Sequence, residues 1–353
     1  MNNAPLKYLF FVTKPYSFSI LEPIQETIEN QNSGTVKWFM ASSAKHFSCP
    51  GEQLRSNEEV IDYSPDAVLV PGNVAPHFWP GLKVQIFHGL DEEVKGFYTI
   101  TGFFDLYCTS GPAMTERFST IAKKKKHFLV RETGWPKLDP VYKGNYDNRA
   151  QKDQMIKKCD FDPDLPVILY APTFPPKYTS AIDLLDEVKT LRDKYNWIIK
   201  FHPLMDKNIV EKYKLLESVR LQVIDELNIL PVMAASDVMV TDTSSVAYEY
   251  LSFNRPLITY NALARKEKGI NIQKPKELYD AIEKSLQYPM EHVEKRKKYL
   301  NEIHPYTDGV SSNRILDAIN DILKNELLDG LKKKPKNIVR KYQIKKMIAR
   351  SQS

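Results

Sequence analysis

Two histidines, a lysine and a cluster of hydroxyls stand where apolar runs end, and residues of these types could together move a phosphoryl group. His88 lies in Val84-Gln-Ile-Phe-His-Gly-Leu90, at the tip of an apolar run. An unperturbed imidazole titrates at about 6.5, so a histidine there keeps a neutral fraction at cellular pH and suits a general base. A capping or core histidine is the competing reading. Lys200 and His202 lie in Trp197-Ile-Ile-Lys-Phe-His-Pro203, a second apolar run that ends in a cation, a histidine and a helix-blocking proline. Thr173 closes a third, Pro166-Val-Ile-Leu-Tyr-Ala-Pro-Thr173. In the fourth, Val238 to Val240 lead into Thr241, Asp242, Thr243, Ser244 and Ser245, and helical character continues from Ala247 to Phe253. A turn of this kind aims backbone N–H groups and two or three hydroxyls at one point, which suits a phosphate or pyrophosphate. Simple helix capping is its plainer alternative. Glu249, one turn further on, could bind a ribose or base, or be an exposed helix residue.

These residues need elements that bring strand ends together. The first half reads as strands at Leu6 to Val12, Val36 to Met40, Ala67 to Val70, Lys83 to Phe87 and Leu106 to Thr109, with a helix from Ser19 to Glu29 carrying Ile20, Ile24 and Ile28 on one face. The second half predicts strands at 167–171, 197–201, 221–224, 237–241 and 256–260. Between them the pattern predicts helices at 180–194, 206–217, 226–235 and 244–253. Alternation of this kind implies an α/β chain of two doubly wound, Rossmann-like domains facing across a cleft, with ligands at the C-terminal ends of the strands. The expected domains are 1–145 and 155–325, followed by a basic tail, 331–353. Residues 134–165, rich in Pro, Gly, Asn, Asp and Lys, read as an inter-domain linker. Neither Gly-x-Gly-x-x-Gly nor a P-loop pattern occurs, and with 13 glycines in the chain, anion binding must rest on helix ends and side chains.

At 353 residues the chain is long enough for two full cores. No apolar run approaches the roughly 20 residues that span a bilayer. The start, Met1 to Val12, lacks a signal peptide's apolar region and cleavage site and reads as a first strand, which points to the cytosol. Cys49, Cys108 and Cys159 form neither a disulfide framework nor a zinc spacing. The absence of an acidic cluster leads to an expectation of no metal and no cofactor. Net charge is +6, and Lys332 to Arg350 holds nine cations and no acid, so basicity belongs to the tail. There the cations mix with Ile338, Tyr342, Ile344, Met347 and Ile348, a pattern that could lie on an anionic membrane surface. A nucleic acid partner and a solvated disordered tail are the alternatives. Lys123 to His127 reads as a charged loop or helix face. His77 and Trp79 lie in a proline-rich loop that could shape an acceptor entrance or simply pack, and His304 reads as structural.

Taken together, His88-Gly89, Ala171-Pro-Thr173, Lys200-Phe-His-Pro203 and Thr241-Asp-Thr-Ser-Ser245 resemble the CDP-glycerol glycerophosphotransferase family, the teichoic-acid primases and polymerases of the bacterial envelope. The resemblance runs from about residue 66 to 325. Where that family has Trp-His-Gly, Phe87 replaces the Trp, and where it has Thr-Asp-Tyr-Ser-Ser, Thr243 replaces the Tyr. The family's later Asp-Gly-x-x-Ser is echoed by Asp308-Gly-Val-Ser-Ser312. The resemblance implies a GT-B-like fold and transfer of glycerol phosphate or ribitol phosphate from a CDP-alditol to a hydroxyl of a glycan or lipid-linked acceptor, with release of CMP. It further implies His88 and His202 as catalytic residues whose roles could be exchanged. Lys200, Thr173, Thr241, Asp242, Thr243, Ser244, Ser245, Glu249, Asp308 and Ser312 would lie around the donor. The missing signal peptide and the basic tail, for their part, suit a cytosolic enzyme able to reach the inner face of the membrane. Within enzymes the rivals are a GT-B glycosyltransferase and a nucleotide-sugar 2-epimerase. From another class comes a non-catalytic envelope-assembly or polyanion-binding protein.

Overall fold

The computed structural model describes residues 5–90, 98 and 100–352, so Met1 to Ala4 of the expected first strand lie outside the described residues. The chain forms two compact units, one gathered from stretches within Met1–Leu90, Tyr98–Lys143 and Ile303–Ser353, the other from Gly144–Glu302.

In the first unit, seven strands form one parallel sheet: β1 (Leu6–Val12), β2 (Gly34–Met40), β3 (Gln53–Leu54), β4 (Ala67–Val70), β5 (Leu82–Gln85), β6 (Leu106–Thr109) and β7 (Leu129–Glu132). Their order is β3-β2-β1-β4-β5-β6-β7, the Rossmann arrangement with its switch between β1 and β4. Tyr8 to Val12 are all buried, as are all four residues of β4, β5 and β6, as expected of strands covered on both faces. Helix Phe18–Asn30 turns Ile20, Leu21, Ile24 and Ile28 inward. The proline-rich loop after β4 packs: Trp79 is 3% exposed, with its ring 5.4 Å from Phe11 and 4.7 Å from Phe39. Lys83 fixes the end of that loop, its ammonium donating to the carbonyls of Trp79, Pro80 and Gly81 at 2.7, 3.2 and 2.5 Å.

The chain returns to this unit after Glu302, so the boundary expected at 325 shifts: helix Ser311–Lys324 belongs to the first unit. Asp139 is the reason. Its buried carboxylate accepts from the Ser311 and Ser312 amides, both at 2.8 Å, and from Ser312 Oγ at 2.7 Å, capping that helix from a residue far back in the sequence. We expect Asp139→Ala to destabilise the protein by about 2 kcal/mol, read as a lower midpoint in urea, whereas an unchanged midpoint would refute the capping role. His304, beside this junction, is fully buried, stacked on Tyr142 at 5.8 Å, and lowered by burial to about 4, hence neutral.

The tail is a helix, Ile338–Gln352, rather than a solvated coil. Lys334 pairs with Asp105 at 2.5 Å and donates to the Phe103 carbonyl at 2.9 Å, and Asn337 Nδ2 donates to the Thr101 carbonyl at 2.7 Å. Ile344 and Ile348 are buried in the first unit, so two of the five apolar residues read as membrane-facing are committed to packing.

In the second unit, β8 (Val167–Tyr170), β9 (Asn196–Lys200), β10 (Leu221–Ile224), β11 (Val238–Thr241), β12 (Leu257–Tyr260) and β13 (Ile270–Ile272) form a parallel sheet in the order β10-β9-β8-β11-β12-β13. This is a second Rossmann sheet, with its switch between β8 and β11. Its core includes Ile168, Tyr170, Trp197, Ile199, Tyr213, Val238, Val240 and Ile258. The expected linker is not loose: Asn148–Cys159 is a helix of this unit, with the Asp147 side chain accepting from the Ala150 amide at 2.8 Å.

Candidate functional site

Each unit contributes residues at the C-terminal ends of its strands, where a doubly wound sheet leaves room for a ligand. In the first unit β5 ends at Gln85, and the Ile86 amide extends the ladder to the Val70 carbonyl at 3.0 Å. Phe87 then takes φ 65°, a left-handed conformation that costs a bulky residue about 1–3 kcal/mol. Packing holds it there: the Phe87 ring meets Phe118 edge-on at 5.2 Å, and Trp135 Nε1 donates to the Phe87 carbonyl at 3.2 Å. The abrupt turn lifts His88 off the sheet. Solvent reaches the ring, which lies 6.2 Å from that of Tyr16. Protein nevertheless surrounds it closely enough that burial lowers its pKa, while a hydrogen bond to the Pro71 carbonyl acts in the opposite sense. Gln85, 1% exposed, steadies the same loop by donating to the Gly72 carbonyl at 3.2 Å and to Asn73 Oδ1 at 2.6 Å.

In the second unit the ends of β8 and β11 meet at the switch point. Thr241 is fully buried and its hydroxyl donates to the Ala171 carbonyl at 2.6 Å. Asp242, 1% exposed, accepts from the Thr173 amide at 2.9 and 3.2 Å, from the Ser180 amide at 2.8 Å and from Ser180 Oγ at 2.8 Å. These bonds fasten the loop after β8 to the end of β11. Thr243, Ser244 and Ser245 follow as a tight turn, with the Ser244 amide bonded to the Asp242 carbonyl at 2.9 Å. The expected helix 244–253 is shorter, Val246–Tyr250 with a 3-10 turn after it, so an anion held here relies on hydroxyls and turn amides more than on a long helix dipole. Glu249 is buried, which removes the exposed-helix alternative.

His202 follows β9 with Lys200 two residues before it, both half-buried. The Leu204 amide donates to His202 Nδ1 at 3.1 Å. An Nδ1 that accepts leaves the proton of the neutral ring on Nε2. The ring also stacks on Phe174 at 4.4 Å. This second unit therefore brings Thr173, Lys200, His202 and Thr241 to Ser245 to one edge of one sheet.

Asp308 and Ser312 belong to the other unit. Ser312 is fully buried on Asp139 and Asp308 is paired with Arg314 at 3.1 Å. The sequence reading missed Pro71, Gln85, Trp135, Asp139, Phe174 and Ser180. Phe174 and Gln85 adjoin recognised residues, whereas nothing local marks the others. Among the described residues, no group of three or more His, Cys, Asp or Glu is placed to hold a metal ion, and no helix is long and apolar enough to cross a membrane.

The chain is similar to known proteins. The chain is 26% identical over 248 residues to the teichoic acid glycerol-phosphate primase of Bacillus subtilis strain 168, a match covering 65% of this chain and 61% of that one. It is 26% identical over 272 residues to the teichoic acid poly(ribitol-phosphate) polymerase of Bacillus spizizenii strain W23, covering 67% of this chain and 42% of that one. The chain thus spans between two fifths and three fifths of these relatives' lengths. Among solved structures, the wall teichoic acid polymerase TagF superposes with TM-score 0.66 at 19% identity, covering 92% of this chain and 91% of that one. A UDP-GlcNAc 2-epimerase from Neisseria meningitidis superposes with TM-score 0.64 at 15% identity, covering 91% and 100%. At such identities both show a common fold and nothing finer. The sequence separates what the fold does not: residues 88–321, well over half of the chain, match the CDP-glycerol:poly(glycerophosphate) glycerophosphotransferase family, and the chain belongs to it.

Proposed function

We propose that the protein transfers an alditol phosphate, glycerol phosphate or ribitol phosphate, from a CDP-alditol to a hydroxyl of a glycan or lipid-linked acceptor, releasing CMP. The observation that carries this reading is the family match over residues 88–321, together with a histidine just past a strand end in each unit. Burial holds His88 toward its neutral form, the form a general base requires. His202 accepts at Nδ1 from the Leu204 amide, so its neutral ring carries the proton on Nε2, the nitrogen suited to donate to a phosphate oxygen.

In this reading the acceptor oxygen attacks the alditol-bearing phosphorus and its proton passes to His88. The bond from that phosphorus to the CMP oxygen breaks, and CMP leaves with the bonding pair. His202 Nε2–H and the Lys200 ammonium offset charge on the diphosphate as it separates. Thr243, Ser244 and Ser245 hold phosphate oxygens, while Thr173, Thr241 and Asp242 keep their turn in shape and Glu249 serves the nucleoside side. Fixed donors of this kind act without reorganising at the moment of transfer. A variant of TagF has been soaked with CDPG, which agrees with a CDP-linked donor here. The large apolar side chains that the described residues of the tail expose, and so could offer to an anionic membrane, are Ile338, Val339 and Tyr342.

The test is CMP release by the purified protein from CDP-glycerol and from CDP-ribitol with a detergent-solubilised lipid-linked acceptor. Release dependent on both donor and acceptor is expected, and His202→Ala should lower kcat/KM by about 10²-fold or more. UDP appearing from a UDP-sugar, with no CMP from either donor, would overturn the reading in favour of a glycosyltransferase or epimerase.

A further inference from the structure

The tail helix borders an open hollow on the first unit, lined mostly by cationic and polar residues, that the reaction above does not use. Its last turns pack beside the Ser42–His46 turn that follows β2: the Ser42 amide donates to Ser351 Oγ at 3.1 Å and Lys45 Nζ to the Arg350 carbonyl at 3.4 Å. Between them lies a hollow of about 450 Å³, lined by Lys45, Lys346 and Arg350 together with Ser42, Gln343 and Ser351. No acid lines it. Lys45, Gln343 and Lys346 are exposed, so their heads are within reach of an arriving ligand. Cations gathered around one hollow repel one another, and hydroxyl and amide groups beside them complete a set of donors matched to phosphate oxygens.

The location indicates whose phosphate this is. Ser42 follows β2 and His88 follows β5, with β1 and β4 between them in a parallel sheet, so pocket and histidine lie at the same edge, three strand spacings or roughly 14 Å apart. Each transfer leaves a phosphodiester behind the new terminal hydroxyl. An acceptor presenting that hydroxyl to His88 therefore carries negative charge one or two units back along its length. A lipid headgroup fits less well, because membrane-docking surfaces interleave cations with protruding apolar side chains. Here the exposed Ile338 and Val339 lie at the opposite end of the helix, Tyr342 does not line the hollow, and Met347, the one apolar residue that does, is half-buried.

We propose that this pocket is an acceptor subsite holding a phosphodiester or diphosphate group of the acceptor, an assignment that rests on the transfer reaction proposed above. The test begins with binding of a glycerol phosphate oligomer to the full chain without donor, by titration calorimetry. The protein as it stands binds the oligomer, the Lys45→Ala, Lys346→Ala double variant loses at least tenfold in affinity, and the corresponding pair of arginine variants retains it. In transfer assays the double variant raises KM about tenfold for a phosphate-bearing acceptor, with KM for the CDP-alditol and for a neutral glycan acceptor unchanged. Oligomer binding unaffected by the double substitution would overturn the subsite while leaving the transferase reading intact. So would inorganic phosphate competing as well as the oligomer, or loss confined to vesicles of anionic phospholipid, which would reassign the pocket to a free anion or to the membrane. Oligomer binding lost in the variant of a protein that transfers from no CDP-alditol would keep a phosphodiester site and overturn its assignment to this reaction.

Discussion

His88→Ala lowers alditol phosphate transfer by about 10²–10⁴-fold, the range expected when a positioned general base is removed, and leaves CDP-alditol binding nearly unchanged. The separation follows from the fold: His88 follows β5 of the first unit, whereas Lys200, His202 and Thr243 to Ser245 belong to the second. The loss therefore appears in kcat at saturating donor. The pH profile gives an independent check. A base must be neutral, and burial lowers the His88 pKa below its usual 6.5, the Pro71 carbonyl only partly opposing the shift. Activity is accordingly full above the ordinary histidine range and falls as pH drops through the depressed pKa, so the acid limb has its midpoint below 6.5 and disappears in the variant. Turnover within a few fold of the unsubstituted protein, or an acid limb that survives the substitution unmoved, would remove His88 from the reaction.

How far the sequence reveals such a site depends on how local the causes are. β1, β4 and β6 have the expected bounds because each is a short apolar run buried on both faces and needs no partner to be recognised, and β10 has them too although, at the sheet edge, it buries only Leu221. β3, two residues long, and β13, three, are too short to stand out from their surroundings. Helix Asn148–Cys159 buries only Met155, so it shows almost no apolar periodicity and its segment reads as a linker. At the site, residue types that end strands are legible, but what holds them is not. The φ of 65° at Phe87 is imposed by Trp135, Phe118 and their neighbours, all distant in sequence. Ser312 has the same residue type as Ser244, and nothing local shows that its amide and hydroxyl are bonded to the buried Asp139, more than 170 positions earlier. The tail shows the same limit: its composition suits a membrane or a disordered coil, and the burial of Ile344 and Ile348 is a tertiary fact.

Asp242→Ala produces the largest loss of stability expected of any single substitution around the candidate site, about 3–5 kcal/mol. The carboxylate accepts from the Thr173 amide, the Ser180 amide and the Ser180 hydroxyl, and each buried donor left unmatched costs about 1–3 kcal/mol, not additively. Asn at this position retains one acceptor oxygen and costs less. Guanidinium unfolding measures the difference, followed at Trp197, which is fully buried in β9 and is the one tryptophan of the four between 144 and 302. Faster amide exchange over 171–180 should accompany the lower midpoint. Ser245→Ala supplies the contrast, because Ser245 is only half-buried at the edge of the same turn: it should raise KM for the CDP-alditol while leaving the unfolding midpoint within about 0.5 kcal/mol. If the two substitutions exchanged effects, with Asp242→Ala leaving the protein stable but unable to bind donor, the carboxylate would be a ligand contact, and the turn would owe its shape to something other than these four hydrogen bonds.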